Sequence, residues 1–207
     1  MVSKGFVLRA TAAALGGTLL VGVGGAAFAE EVVGDPDDVE VNVSIEESTE
    51  PGVLAMTVSG DSVSLAEGES GDPAVREFRG QLPTVTVTDT RTADEIPDGA
   101  YWYVLGTASD FAGDAGQEPI SAGHLGWSPE LEDPEGTGAV APGDSVDTVL
   151  DSSPNNVGLV GQELLAMALT SEDAIGSWTA TADLLFKVPS TVAPGGYGST
   201  LTLSLFE

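Results

Sequence analysis

Strict alternation of apolar and polar residues constrains this chain more than any other feature. In "TVTVT", Val85 and Val87 point one way while Thr84, Thr86 and Thr88 point the other. Trp178, Ala180, Ala182, Leu184, Phe186 and Val188 alternate with mainly polar partners, and Leu201, Leu203 and Leu205 alternate with Thr200, Thr202 and Ser204. A period of two places successive side chains on opposite faces of a β-strand. The β-branched residues that fill these runs suit a pleated, half-buried surface.

The same reading extends along the chain. Val39, Val41, Val43 and Ile45 alternate with Glu40, Asn42, Ser44 and Glu46. Residues 53–58 form a second strand with Leu54, Met56 and Val58 on one face, and a short piece ends at Val63 and Leu65. An acidic Gly/Ser loop follows at 66–73. After the turn Ile96-Pro97-Asp98-Gly99, residues 100–107 place Tyr101, Tyr103 and Leu105 on one face and Trp102 and Val104 on the other. A strand is expected over 120–127, and a long irregular connection over 128–147, which carries three prolines. Residues 158–170 are too short a run to separate helix from strand by pattern, and their surroundings favour strand. Residues 178–188 and 197–206, joined by Pro194-Gly195-Gly196, are expected to form a long final hairpin. The expected class is therefore all-β: a β-sandwich or related barrel of short antiparallel strands with long acidic Gly/Pro loops.

Three segments divide the chain. Residues 1–29 begin with Lys4 and Arg9, continue through a short apolar stretch and end in Ala27-Phe28-Ala29, the pattern of a cleaved secretory signal peptide. Residues 30–38 read as an acidic flexible leader, and 39–207 as a single β domain. The full chain carries a net charge of −27, and all 33 acidic residues fall after the signal. Such a field repels nucleic acid and anionic polymers and favours cationic partners. No second apolar span follows the signal, so no transmembrane anchor is expected in the mature chain. With no cysteine, a secreted domain must be held by its core alone.

Four features together resemble the WxL-domain surface proteins of Gram-positive bacteria, in their actinobacterial form. They are "LPTVTVTDTR" (Leu82 to Arg91), the following Trp102, "SWTATADLLFKVPSTVAPGGYGSTLTLSL" (Ser177 to Leu205) and the signal peptide. The first W-x-L element reads Trp102-Tyr103-Val104, and the second falls at Leu203-Ser204-Leu205, with Leu where the family often has Trp. The resemblance implies an all-β fold, export, and non-covalent association with the cell wall (peptidoglycan) or with a partner envelope protein. It marks a non-enzymatic, secreted, cell-surface protein.

Candidate binding residues gather near the first element. Trp102 beside Tyr101 and Tyr103 could stack on sugar rings; the competing and preferred reading is that Trp102 plugs the core, as Trp does in many sandwiches. Asp89 and Arg91 lie two apart on the inward face of Val85 and Val87. They form either a recognition site or a hydrogen-bonded plug at the rim, and the plug is preferred because a lone charge there would be costly. Tyr197, in the Ala-Pro-Gly-x-Tyr element, completes the binding set. His124 stands alone, with no G-x-S-x-G elbow, and points to no catalytic site. No cofactor is implied beyond calcium. An acidic calcium-binding structural or adhesive module is the alternative reading, with Asp110, Asp114 and Glu118 as ligands and further acidic stretches at 35–38 and 130–135.

Overall fold

The alternating runs become strands of two facing antiparallel sheets. The computed structural model describes residues 50–132 and 138–207. Among the described residues strand predominates over helix and no helix reaches seven residues, so the fold is all-β and sandwich-like; the sheets do not close, which sets it apart from a barrel. The strands in chain order are β1 (Leu54–Val58), β2 (Ala66–Gly68), β3 (Val75–Gln81), β4 (Val85–Asp89), β5 (Tyr103–Ala108), β6 (Ala112–Gly113), β7 (Leu125–Leu131), β8 (Val140–Pro142), β9 (Glu163–Ala168), β10 (Gly176–Pro189), β11 (Tyr197–Gly198) and β12 (Leu201–Phe206). Residues Glu47–Glu207 form one compact unit. The signal peptide, the acidic leader and the strand expected at Val39–Ile45 lie outside the described residues.

The larger sheet is organised on β10. Its first half pairs with β4 and its second half with β3, so the chain through Gln81 and Val85 runs along one edge of it. β7 pairs with Ala180–Phe186. Those residues overlap the ones β3 uses, which puts β7 on the opposite edge. β1 adds to β4 and β2 to β3. The smaller sheet has the order β12-β5-β9-β8, and β6 with β11 makes a separate two-stranded ribbon.

Val85, Val87, Ala180, Ala182, Leu184 and Phe186 from the larger sheet meet Trp102, Val104, Leu165 and Ala166 from the smaller in one buried cluster. Leu201, Leu203 and Leu205 pack against it. Trp102 is 1% exposed, which fixes it as a core residue. It lines a void of only about 10 Å³ together with Val85, Val87 and Ala180, so the small alanine does make room for the large ring. Trp127 does the same job on a second axis. A Cβ on Gly106 would fall 2.5 Å from its Cη2 atom, so β5 needs glycine where the β7 indole presses in. Neither indole N–H has a protein acceptor; both rings act as apolar fillers.

Several expectations are corrected. The last two long strands are not a hairpin: β10 lies in the larger sheet and β12 pairs with β5 in the smaller. Each has an apolar inner face, and facing one another across the core buries both faces at once. The piece at Val63–Leu65 is not a strand. Pairing begins at Ala66–Gly68, inside the stretch read as loop, where Glu67 forms a bidentate ion pair with Arg76 of β3. The strand expected at 120–127 is displaced: Ile120 makes a single bridge to Phe111, Ala122–His124 is a 3-10 turn, and β7 runs on through Pro129. Proline is tolerated there because β7 is bonded as a ladder only on its β10 side. The expected irregular connection also contains β8. The ambiguous run at 158–170 resolves as a 3-10 turn (Gly158–Val160) followed by β9, a strand. Among the described residues no helix is long and apolar enough to cross a membrane.

Candidate functional site

The register of β12 on β5 pairs Tyr103 with Phe206, Leu105 with Ser204 and Thr107 with Thr202. Directly opposed residues share a face, and this is the outer one, because Val104 and Leu205 pair on the face turned to the core. Tyr103 and Phe206 stack with ring centroids 5.3 Å apart and planes 16° from parallel. Tyr101 continues the row, 5.9 Å from Tyr103. Tyr101 is 48% exposed and Phe206 38%. Met167 of β9 lies opposite Tyr103 on the other side and widens the apolar surface. The result is a row of three aromatic rings across an exposed sheet face. Single exposed apolar residues are ordinary, but a contiguous row of rings is the kind of patch that marks an interaction site.

A charged cluster closes one end of this row. The Arg91 guanidinium donates from Nε to Asp89 Oδ1 (2.9 Å) and from Nη2 to Asp89 Oδ2 (2.7 Å). It also donates from Nη1 to Glu207 Oε2 (2.8 Å) and from Nη2 to Glu207 Oε1 (2.7 Å). Ser171 Oγ donates to Glu207 Oε1 (3.0 Å), and its backbone N–H donates to the Ala100 carbonyl (2.8 Å). Ala168 N–H donates to the Trp102 carbonyl. These bonds tie the β4 end, the segment carrying Tyr101, and the residue after Phe206 into one rigid corner. The Asp89 side chain is fully buried and that of Arg91 is 11% exposed. Burial pushes the Asp89 carboxyl up, but its bonds to Arg91 outweigh this and hold it below the usual range. The Arg91 bonds likewise lower Glu207, and Arg91 itself is raised, chiefly by its bonds to Asp89. Beside it, Glu95 accepts the N–H groups of Thr92 and Gly52 and is lowered by them.

Of the expected binding residues, the structure brings together Tyr101, Tyr103, Asp89 and Arg91, the last two as a structural plug. Trp102 is at the same place in the chain but inside the core. Tyr197 is elsewhere, at the β11 end of the chain leading into β12, with its hydroxyl donating to the Ala193 carbonyl (2.9 Å). Phe206 and Glu207 were missed. Phe206 continues the alternation of β12 and could have been found once β12 was paired with β5; no local signal identifies Glu207 as the partner of Arg91.

The acids named as calcium ligands do different things. Asp110 Oδ1 accepts the Ala122 N–H (2.9 Å), Asp114 touches Gln117 Nε2 at 3.5 Å, and Glu118 is exposed. Among the described residues no three His, Asp or Glu side chains gather as a metal-binding group. Residues 35–38 and part of 130–135 lie outside those described. The His124 ring bonds through Nδ1 to the Lys187 carbonyl (2.6 Å), joining the 3-10 turn to β10.

No family model matches the chain, and no curated protein matches it. Among solved structures it is similar to a family 123 glycoside hydrolase from Clostridium perfringens, at 15% identity and a TM-score of 0.31, over 63% of this chain and 19% of that one.

Proposed function

We propose that this is an exported, non-enzymatic cell-surface protein that associates non-covalently with the peptidoglycan of a Gram-positive wall through the Tyr101–Tyr103–Phe206 row. The observation that carries the proposal is the stacked pair of Tyr103 and Phe206, with Tyr101 beside it, on an open sheet face. Sugar rings present apolar C–H faces, and aromatic rings offer matching flat apolar area with a polar edge. A row of rings on rigid strands meets an extended glycan without the ordering cost a loop would carry. The charge of the chain weighs against anionic wall polymers and leaves the uncharged glycan faces as the ligand. The WxL-like elements named above point the same way, since Tyr103 sits inside the Trp102-Tyr103-Val104 element and Phe206 directly follows Leu203-Ser204-Leu205. The buried Asp89 is neutralised by Arg91, and the buried Glu77 by Arg79 and Lys187, rather than poised for proton transfer, in keeping with a binding role.

The test is retention by purified peptidoglycan sacculi after high-salt washing. Salt screens charge attraction but not ring stacking, so retained protein supports the proposal. Protein that washes off wall alone, yet stays when a second exported protein is added, would transfer the binding role to that partner.

A further inference from the structure

We infer that a second site, distinct from the aromatic row, binds an amphiphile: a hydrocarbon chain bearing a positively charged head. A slot of about 430 Å³ opens between the larger sheet and the turn that precedes β12. That volume lies within the range of small-molecule sites. Its walls are Phe78, Phe111, Phe186, Leu65, Leu184 and Tyr197, with Gly195 and Gly198 at the rim. Phe111 and Phe186 lie 4.4 Å apart and Phe186 and Phe78 6.1 Å apart, so three rings form a continuous wall.

Two features select the ligand. The first is the absence of acid from the lining: among the described residues no Asp, Glu, Lys or Arg lines the slot, in a chain of net charge −27. Two of its three hydroxyls are already engaged, Tyr197 with the Ala193 carbonyl and Ser199 Oγ with the Ser109 carbonyl, and Ser64 supplies the third. Phe, Leu and Val side chains make up most of the lining, so the occupant is largely hydrocarbon, held by the area it removes from water. The second feature is a carboxylate beside Gly195, one of the lining residues. Asp114 lies against the Gly195–Gly196 turn, with Oδ2 2.6 Å from where a Gly196 Cβ would stand and Oδ1 3.7 Å from a Gly195 Cβ. Its side chain contacts Gln117 Nε2 at 3.5 Å and has no cationic partner among the described residues. An apolar slot beside a carboxylate without a cation fits a chain with a cationic head, and the field of the whole molecule draws such a head in.

The experiment is calorimetric titration of the full chain with dodecyltrimethylammonium, dodecyl maltoside and dodecyl sulfate, each below its micelle-forming concentration. The cationic probe should bind at one saturable site, the neutral one about two- to fivefold more weakly, as the loss of one exposed ion pair implies, and the anionic one more weakly still. Asp114→Asn should narrow the preference for the cationic probe over the neutral one. Gly198→Leu should block the slot, costing tenfold or more, as judged from about 1.4 kcal/mol per decade. A Cβ on Gly198 meets nothing within 4 Å, so an unchanged melting temperature is expected to accompany the block. Tyr103→Ala should leave probe binding intact, which separates this site from the wall-binding face. No saturable binding of the cationic and neutral probes would overturn the inference. So would undiminished binding by a folded Gly198→Leu protein, which would mean charge-driven adsorption to the acidic surface. Equal affinity for cationic and anionic probes, or an Asp114→Asn protein whose preference for the cation is undiminished, would remove the role of Asp114 and overturn the cationic head.

Discussion

Arg91→Leu should be among the most damaging single changes outside the apolar core. The guanidinium makes four hydrogen bonds to two carboxylates, and the Asp89 side chain beneath it is fully buried, with Glu207 at 23% exposure. Leucine restores apolar volume but leaves Asp89 as a buried charge with no cation. Breaking a buried pair in this way costs about 3–5 kcal/mol, a large part of a typical stability of about 5–15 kcal/mol. At roughly 2–4 °C per kcal/mol for a domain of this size, the melting temperature at pH 7 should fall by about 6–20 °C. The pH dependence carries a sign that separates this account from a general packing defect. In the wild type, Asp89 and Glu207 are held below their ordinary values, so their contribution is complete above the unfolded pKa of about 4 and is lost as pH falls through the folded values. In Arg91→Leu the burial that raises Asp89 is opposed only by the backbone N–H of residue 91, so its carboxyl takes up a proton as the pH falls from 7 toward 4, and the variant gains stability. The gap between the two proteins should therefore narrow on acidification. Urea unfolding at pH 7, 5.5 and 4 measures it. A loss below about 1 kcal/mol at pH 7, or a gap that stays constant across the series, would refute the reasoning.

Other outcomes follow from the core and its close contacts. Trp102→Ala should cost about 3–5 kcal/mol by denaturant titration, as large-to-small core changes do, while Trp102→Phe, which keeps a ring and removes an indole N–H without a protein acceptor, should cost clearly less. Gly106→Ala places a methyl 2.5 Å from Trp127 Cη2, so it should destabilise by about 1–3 kcal/mol through overpacking, and Trp127→Leu in the same chain should relieve part of that loss.

Alternation made the inward rows legible in advance: Val85, Val87 and Asp89 on one face, Trp102 and Val104 on another, and the leucines of β12. It also placed Asp89 and Arg91 together and favoured a plug at the rim. What alternation cannot supply is partner choice. β10 and β12 both show clean period-two patterns, and two such strands satisfy them equally well side by side or face to face; their assignment to different sheets is a long-range packing decision. β3 escaped notice because "VREFRGQ" carries charged residues at Arg76, Glu77 and Arg79; Arg76 and Glu77 are accommodated by cross-strand ion pairs with Glu67 and Lys187 that depend on the fold, and Arg79 pairs with Glu77 along the strand. Tyr101 and Tyr103 were visible as neighbours on one strand face, but the third ring came from the other end of the sequence. The contact of Arg91 with Glu207, 116 residues away, could be read only after β12 was set against β5.

The most direct test of the central claim is salt-resistant wall retention by a protein carrying Tyr101→Ser and Tyr103→Ser together. These side chains lie on the outer sheet face, so the loss of their cross-strand contacts should cost only about 1–2 kcal/mol, at 0.2–1 per pair, and the protein should remain folded by circular dichroism. The account predicts wild-type protein in the washed wall fraction and the double variant, folded and monitored in parallel, in the supernatant. Retention of the folded double variant at the wild-type level would contradict a role for the aromatic row in wall binding.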